Sequence, residues 1–189
     1  CTLTDHKAKA QYLKGLFDNI YLLDILERYA IRDKNVLDEV LDVVSSSVGS
    51  LTNPKKIADT FGSVGQYKIS PDSVARYLNY FTDAFLLYSA QRYNVKGRKY
   101  IGSPLKYYYS DIGLRNARLN FRQTEEAHIM ENIIYNELIQ RGFTVDVGVV
   151  EYNYKDIDGK NKKINTEIDF VANDGGRRFY FQSALSVAD

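Results

Sequence analysis

A chain of 189 residues suffices for one large domain or two small ones, and 44% hydrophobic content without a low-complexity tract excludes a disordered polymer. A net charge of +1 provides no global field for nucleic acid, although a local basic patch stays open. The single cysteine, Cys1, excludes an intramolecular disulfide and a cysteine zinc site, and only His6 and His128 could supply imidazole.

That cysteine usage fits a reducing cytoplasm, and no leader with a basic start, apolar core and small-residue cleavage site is present. The most apolar stretch, YLNYFTDAFLLYSA (77–90), is interrupted by Asp83 and is too short for a bilayer span, so no membrane partner is expected. A start at Cys1 rather than Met suggests a piece of something longer. Sixteen Tyr and no Trp mean that amphipathic rings fill the cores and that some hydroxyls need buried partners.

Leu13, Leu16, Phe17, Ile20, Leu23 and Leu26 recur at helical spacing over 10–29. Val36 to Val44 repeat the pattern after Asp33, a predicted N-cap, and Ser45 to Ser50 read as a stop. Asn53-Pro54 and Ser70-Pro71 each place a capping side chain before a proline suited to the first helical turn. Two helices joined by the short GSVGQYKI connection read as a helix-turn-helix. FLLYSAQRY, the VKGRK turn and KYIGSPLKYYYS then read as a hairpin, which completes a winged helix. Region 91–106 of this wing holds Arg92, Lys96, Arg98, Lys99 and Lys106 and no acidic residue.

DIGLRNARL reads as a short connecting helix. Thr124 to Arg141 reads as a long helix with Met130, Ile133, Ile134 and Leu138 on its apolar face and Gly142 as its stop. FTVDVGVVEYNY, KKINTEIDFVA and RRFYFQSALSVA follow as strands, with turns at DIDGKN and NDGG. The expected class is α+β: a helical, winged-helix-like N-terminal part followed by a small α/β domain.

Alternation puts Glu167 and Asp169 on one face of a strand and Gln182 and Ala184 on one face of the next. Glu131, beside the apolar stripe of the long helix, can approach them. Oxygen ligands from Glu131, Asp169 and Gln182 would suit Mg²⁺ and phosphodiester hydrolysis. A simpler reading makes Glu167 and Asp169 a solvated strand face and pairs Glu131 with His128 on the helix surface.

A Glu on a helix, an Asp on a strand, then Glu or Gln, any residue and Lys on the next strand is the core pattern of the PD-(D/E)xK nuclease fold. The chain resembles it through Glu131, Asp169 and Gln182-Ser183-Ala184. Over most of residues 12–186 it also resembles the C-terminal half of a prokaryotic family that joins an AAA-like P-loop ATPase to a winged helix and a nuclease-like unit, the DUF4143 type. The segments concerned are YLKGLFDNIYLLDILERYAIRD, KISPDSVARYLNYFTDAFLLY, KYYYSDIGLRNARL, ENIIYNELIQRGF and TEIDFVANDGGRRFYFQSALS.

The resemblance implies a helical linker from the ATPase half at 1–50, a winged helix-turn-helix at 51–118 and the nuclease-like domain at 119–189. No GxxxxGK[ST] occurs in this sequence, so ATP binding belongs to that other half. The departure from the pattern is Ala184, where the nuclease has its lysine. Losing that contribution costs ~10²–10⁴-fold in rate. The resemblance therefore implies a disarmed nuclease-like scaffold serving as a binding and regulatory region. The alternative is a Mg²⁺-dependent endonuclease using Glu131, Asp169 and Gln182, with Lys163, Arg177 or Arg178 in place of the lysine.

DNA contact, if made, would use Ser73, Arg76 and Tyr80 in the groove and Arg92, Lys96, Arg98 and Lys99 on the backbone. The other expected partner is a protein surface, including the chain's own ATPase half.

Overall fold

The computed structural model describes residues 5–64, 68–122 and 125–186, with the side chains of Ile20 and Val64 left aside. Cys1, residues 65–67 of the inter-helix connection, Thr124 and residues 187–188 of the last expected strand lie outside the described residues.

Local capping chemistry positions the helices. Asp5 caps α1 (His6–Leu16), which runs through a π-helical turn (Phe17–Leu22) into α2 (Leu23–Arg28). Asp33 accepts from the Asn35 and Val36 amides and opens α3 (Lys34–Ser46). Asn53 accepts from the Lys56 amide at α4 (Pro54–Val64), and Ser70 accepts from the Ser73 amide at α5 (Pro71–Asp83). Asp111 does the same for α6 (Ile112–Arg118). The long helix α7 spans Glu126–Gln140 and stops before Gly142.

The strands are β1 (Leu87–Asn94), β2 (Lys99–Tyr109), β3 (Thr144–Lys155), β4 (Asn161–Asp174) and β5 (Arg177–Phe181). They form one sheet in the order β2-β1-β3-β4-β5, antiparallel except for the parallel β1–β3 pair. The fold is thus α+β, a helical part followed by a sheet packed with helices.

The expected wing is not a free hairpin. Arg92–Asn94 of β1 pair with Val147–Val149 of β3, and the Val95 amide donates to the Val149 carbonyl at 2.9 Å. Backbone pairing therefore carries the sheet across the expected boundary at 118/119. Pairing also sets the end of β5: Gln182 to Ala184, expected on the strand, follow its last residue, Phe181.

Two apolar cores flank the sheet. Leu37, Leu41, Ile57, Leu78 and Phe81 of the helices meet Leu87, Tyr107 and Tyr109 on one side. Tyr135 and Leu138 of α7 meet Ala90, Tyr108, Val145, Val147 and Phe170 on the other. The Tyr107-Tyr108-Tyr109 run is buried throughout, and strand alternation deals its rings to opposite cores. Tyr108 stacks on Tyr135 at 4.3 Å between centroids, the kind of pair worth about 0.5–1.5 kcal/mol beyond area burial. Ser45 donates to the Leu41 carbonyl, so the Tyr109 hydroxyl, 2.5 Å from Ser45 Oγ, is the donor in that contact.

Burial pushes the hydroxyls of Tyr107, Tyr108, Tyr109 and Tyr135 above the ordinary tyrosine value. Their folded values exceed the unfolded one, so this contribution is intact below about pH 10 and is lost as pH rises beyond it. Alkaline titration by circular dichroism should show unfolding that starts above about pH 10, with tyrosinate absorbance rising in step. Tyrosinate formation complete before any loss of secondary structure would contradict these burials.

Candidate functional site

The site begins with how α7 docks. Asn132, fully buried, accepts from the Tyr109 amide and donates to the Tyr109 carbonyl, both at 2.8 Å. Asn136 adds bonds to the Tyr109 and Ser110 carbonyls. These amide side chains fix the rotation of the helix about its axis. They bury Glu131, Asn132, Tyr135 and Leu138 and turn Ile133 outward, 54% exposed. The predicted apolar stripe of Met130, Ile133, Ile134 and Leu138 is therefore rotated, and Glu131 lies inside the interface rather than beside it.

On β2, Lys106 and Tyr108 share the face turned toward α7. Glu131 Oε1 accepts from Lys106 Nζ at 2.9 Å and from the Tyr108 hydroxyl at 2.7 Å. The same ammonium lies 2.6 Å from Glu167 Oε1 on β4. The side chains of Lys106 and Glu131 are 5% and 11% exposed, and that of Glu167 34%. Burial pulls the Lys106 ammonium down, but the hydrogen bonds and charges of Glu167 and Glu131 together outweigh it and hold it above the ordinary lysine value. Lys106 is thus a locked ammonium. A lysine poised to take a proton from water would need the opposite shift.

Gly49 closes the site from the α3 side. Its φ of +72° suits glycine, its amide donates to the Tyr107 carbonyl, and a Cβ there would stand 3.4 Å from Glu131 Oε1. His128 does not pair with Glu131 as expected; its Nδ1 is buried without a hydrogen-bond partner in the described residues.

Asp169 owes its position to a bulge. The β3–β4 register shifts between Asp146↔Val171 and Gly148↔Ile168, so Asp169 and Phe170 together oppose Val147. A Cβ on Gly148 would fall 2.8 Å from Ile168 Cβ and 2.9 Å from Val171 Cγ2, so this bulge needs glycine. Asp169 is 7% exposed, and its Oδ2 accepts from the Ser183 amide at 2.7 Å and the Ser183 hydroxyl at 2.5 Å. Glu167 and Asp169 are therefore not a solvated strand face.

Gln182 and Ala184 are exposed, and no hydrogen bond joins Gln182 to Glu131 or Asp169. Nor do the candidate replacements for the lysine reach the cluster. Lys163 pairs with Glu151, Arg177 with Asp174, and Arg178 donates to Asn173 while covering the Tyr93 ring. Lys106 reaches it instead. Of the oxygen ligands expected for Mg²⁺, Glu131 Oε1 is engaged by an ammonium, Asp169 Oδ2 by Ser183, and Gln182 stands exposed apart from both, an arrangement that does not fit an open cage for the ion. Among the described residues no group of three or more His, Cys, Asp or Glu side chains is placed to hold a metal ion.

The expected DNA contacts fall on two elements, α5 and the β1–β2 hairpin, and differ in exposure. Arg76 is exposed on α5 and donates to Ser73 Oγ, whereas Tyr80 is half-buried and stacked on Tyr29 at 3.7 Å. Arg92 is half-buried. Lys96 donates to the Glu151 carbonyl and lies 4.0 Å over the Tyr152 ring, and Arg98 and Lys99 are exposed.

Sequence reasoning placed Lys106 in the basic wing and gave Tyr108, Asn132 and Asp146 no part in the site. For Lys106 the signal was there: a lysine at an inward position of a tyrosine-rich strand needs a buried carboxylate. Asp146 had none. It is 5% exposed, burial pushes its carboxyl up, and bonds from Tyr100 and Asn173 with the Arg178 charge offset part of that.

No helix among the described residues is long and apolar enough to cross a membrane. No solved structure matches the chain. Two curated relatives match it: an uncharacterized protein of Haemophilus influenzae, 33% identical over 99% of this chain, and uncharacterized protein MJ1544 of Methanocaldococcus jannaschii, 28% identical over 89%. The chain spans 43% and 35% of their respective lengths. The model of the family described as "Domain of unknown function (DUF8612)" matches residues 1–125, which include Lys106 and Tyr108 and end before α7. A match over most of the chain shows membership: the protein belongs to the DUF8612 family.

Proposed function

We propose that this chain is a binding and regulatory region whose nuclease-like sheet domain does not cut nucleic acid. One observation carries the reading: the Lys106 ammonium bridges Glu131 and Glu167 from within and cancels one of their two negative charges. A cluster that supplies its own cation has little to gain from a divalent one. The resemblance to the DUF4143-type architecture supports a role beside an AAA-like ATPase half, with DNA or a protein surface, that half included, as partner and the cytoplasm as location. Relatives more than twice as long as the matched region leave room for such a half.

The second reading, a Mg²⁺-dependent endonuclease using Glu131, Asp169 and Gln182, gains from the same lysine, since Lys106 would be the relocated cation. Plasmid and branched DNA incubated with Mg²⁺ or Mn²⁺ separate the two. The proposal expects no cleavage above a protein-free control. Metal-dependent cleavage abolished by Asp169→Ala would establish the endonuclease.

A further inference from the structure

The β3–β4 hairpin runs far past the sheet. Tyr152–Lys155 pair with Asn161–Ile164 and all eight residues are exposed, a two-stranded ribbon. Pairing puts Tyr152 opposite Ile164 and Tyr154 opposite Lys162, so both rings and Ile164 share one face. The rings are 50% and 43% exposed. They stand about 7 Å apart along the strand.

Charge gathers at the same place. The β1–β2 turn lies against the base of the ribbon through Lys96, which covers one side of the Tyr152 ring and donates to the Glu151 carbonyl. Residues 95–99 and 151–165 together hold seven Lys and Arg against three acidic residues, in a chain whose net charge is +1. Lys162 pairs with Asp156 and Lys163 with Glu151. Among the described residues Arg98, Lys99, Lys155 and Lys160 form no ion pair. Isolated ribbons are marginal, and exposed rings on one need a reason.

We propose that this ribbon, with the β1–β2 turn, is a binding surface for single-stranded nucleic acid. Unpaired lysines and Arg98 meet phosphates, and Tyr152 and Tyr154 offer ring faces to bases. Exposed rings on one face of a ribbon, with cations at its tip and base, suit a flexible strand better than a duplex, whose bases are already stacked. An acidic polypeptide would use the charges but leave the rings without a role. The surface lies on different residues from the Glu131–Lys106–Glu167 cluster and from Arg76 and Tyr80 on α5. The inference rests on reading the sheet domain as a binding scaffold, but it is measured by affinity and not by cleavage.

The test is fluorescence anisotropy with a labelled oligothymidylate and a duplex of equal length, in chelator, over a range of salt. The single strand should bind more tightly than the duplex, with affinity falling as salt rises. Tyr154→Ala should weaken single-strand binding by on the order of tenfold. Lys155→Glu with Lys160→Glu should weaken it further and flatten the salt slope. Lys7→Glu with Lys34→Glu, an equal change of charge on two exposed helical residues, should leave it unchanged. No binding at low salt, equal losses from Lys7→Glu with Lys34→Glu, or full competition by polyglutamate would each overturn the proposal. Cleavage of the oligonucleotide with Mg²⁺ would instead overturn the non-catalytic reading and leave the ribbon standing.

Discussion

Lys106→Met should destabilise the fold by about 3–5 kcal/mol, because it leaves Glu131 buried without its cation. Methionine matches the length and bulk of the stem, so most of the loss comes from the stranded charge. Glu167 has another route, since its side chain is a third exposed and can turn to water. Adding Glu131→Gln removes the uncompensated charge, and the amide still accepts from the Tyr108 hydroxyl. The double variant should therefore recover most of the loss, a coupling that a double-mutant cycle in urea reads directly. A single variant within about 1 kcal/mol of wild type would mean that the pair is solvated and worth no more than a surface bridge.

The second large effect belongs to Arg115, on the short helix that the sequence reading treated as a connector. Its side chain is fully buried. Nε donates to the Ser45 carbonyl, one Nη to Asn116 and the other to Glu125 at 3.1 Å. The guanidinium thereby ties α6 to the end of α3 and to the entry of α7. Beside it, Arg118 grips Asp38 and Asp42 of α3. Arg115→Ala removes the buried cation, leaves the Ser45 carbonyl without that donor and opens a cavity, so it should cost about 3–5 kcal/mol. Arg118→Ala, on a more exposed side chain, should cost clearly less. Chemical denaturation of the two variants checks the order, and equal losses would contradict this account of α6.

The helical half was legible because its signals are local. Asp33, Asn53-Pro54 and Ser70-Pro71 each act within four residues of chain, and each caps the helix expected of it. The sheet was legible strand by strand but not in its order. Whether FLLYSAQRY ends in a free wing or pairs parallel with β3 depends on contacts some fifty residues away, which no period along the strand encodes. The rotation of α7 was misread for a related reason. Asn132 and Asn136 look like solvent residues until the backbone of Tyr109 arrives to bond them. That shift carried Glu131 from the edge of the interface into it. Lys106 was assigned to the basic hairpin by composition, although its place two residues before Tyr108 put it on the inward face.

The central proposal is that the cluster around Glu131, bridged by an internal ammonium, does not cut DNA with a metal ion. A plasmid-nicking assay in Mn²⁺ across wild type, Lys106→Ala and Asp169→Ala tests it most directly, with each variant first shown to be folded. The account predicts that all three leave the plasmid intact. Nicking by wild type that disappears in both variants would contradict it and make Lys106 the relocated lysine of a working nuclease.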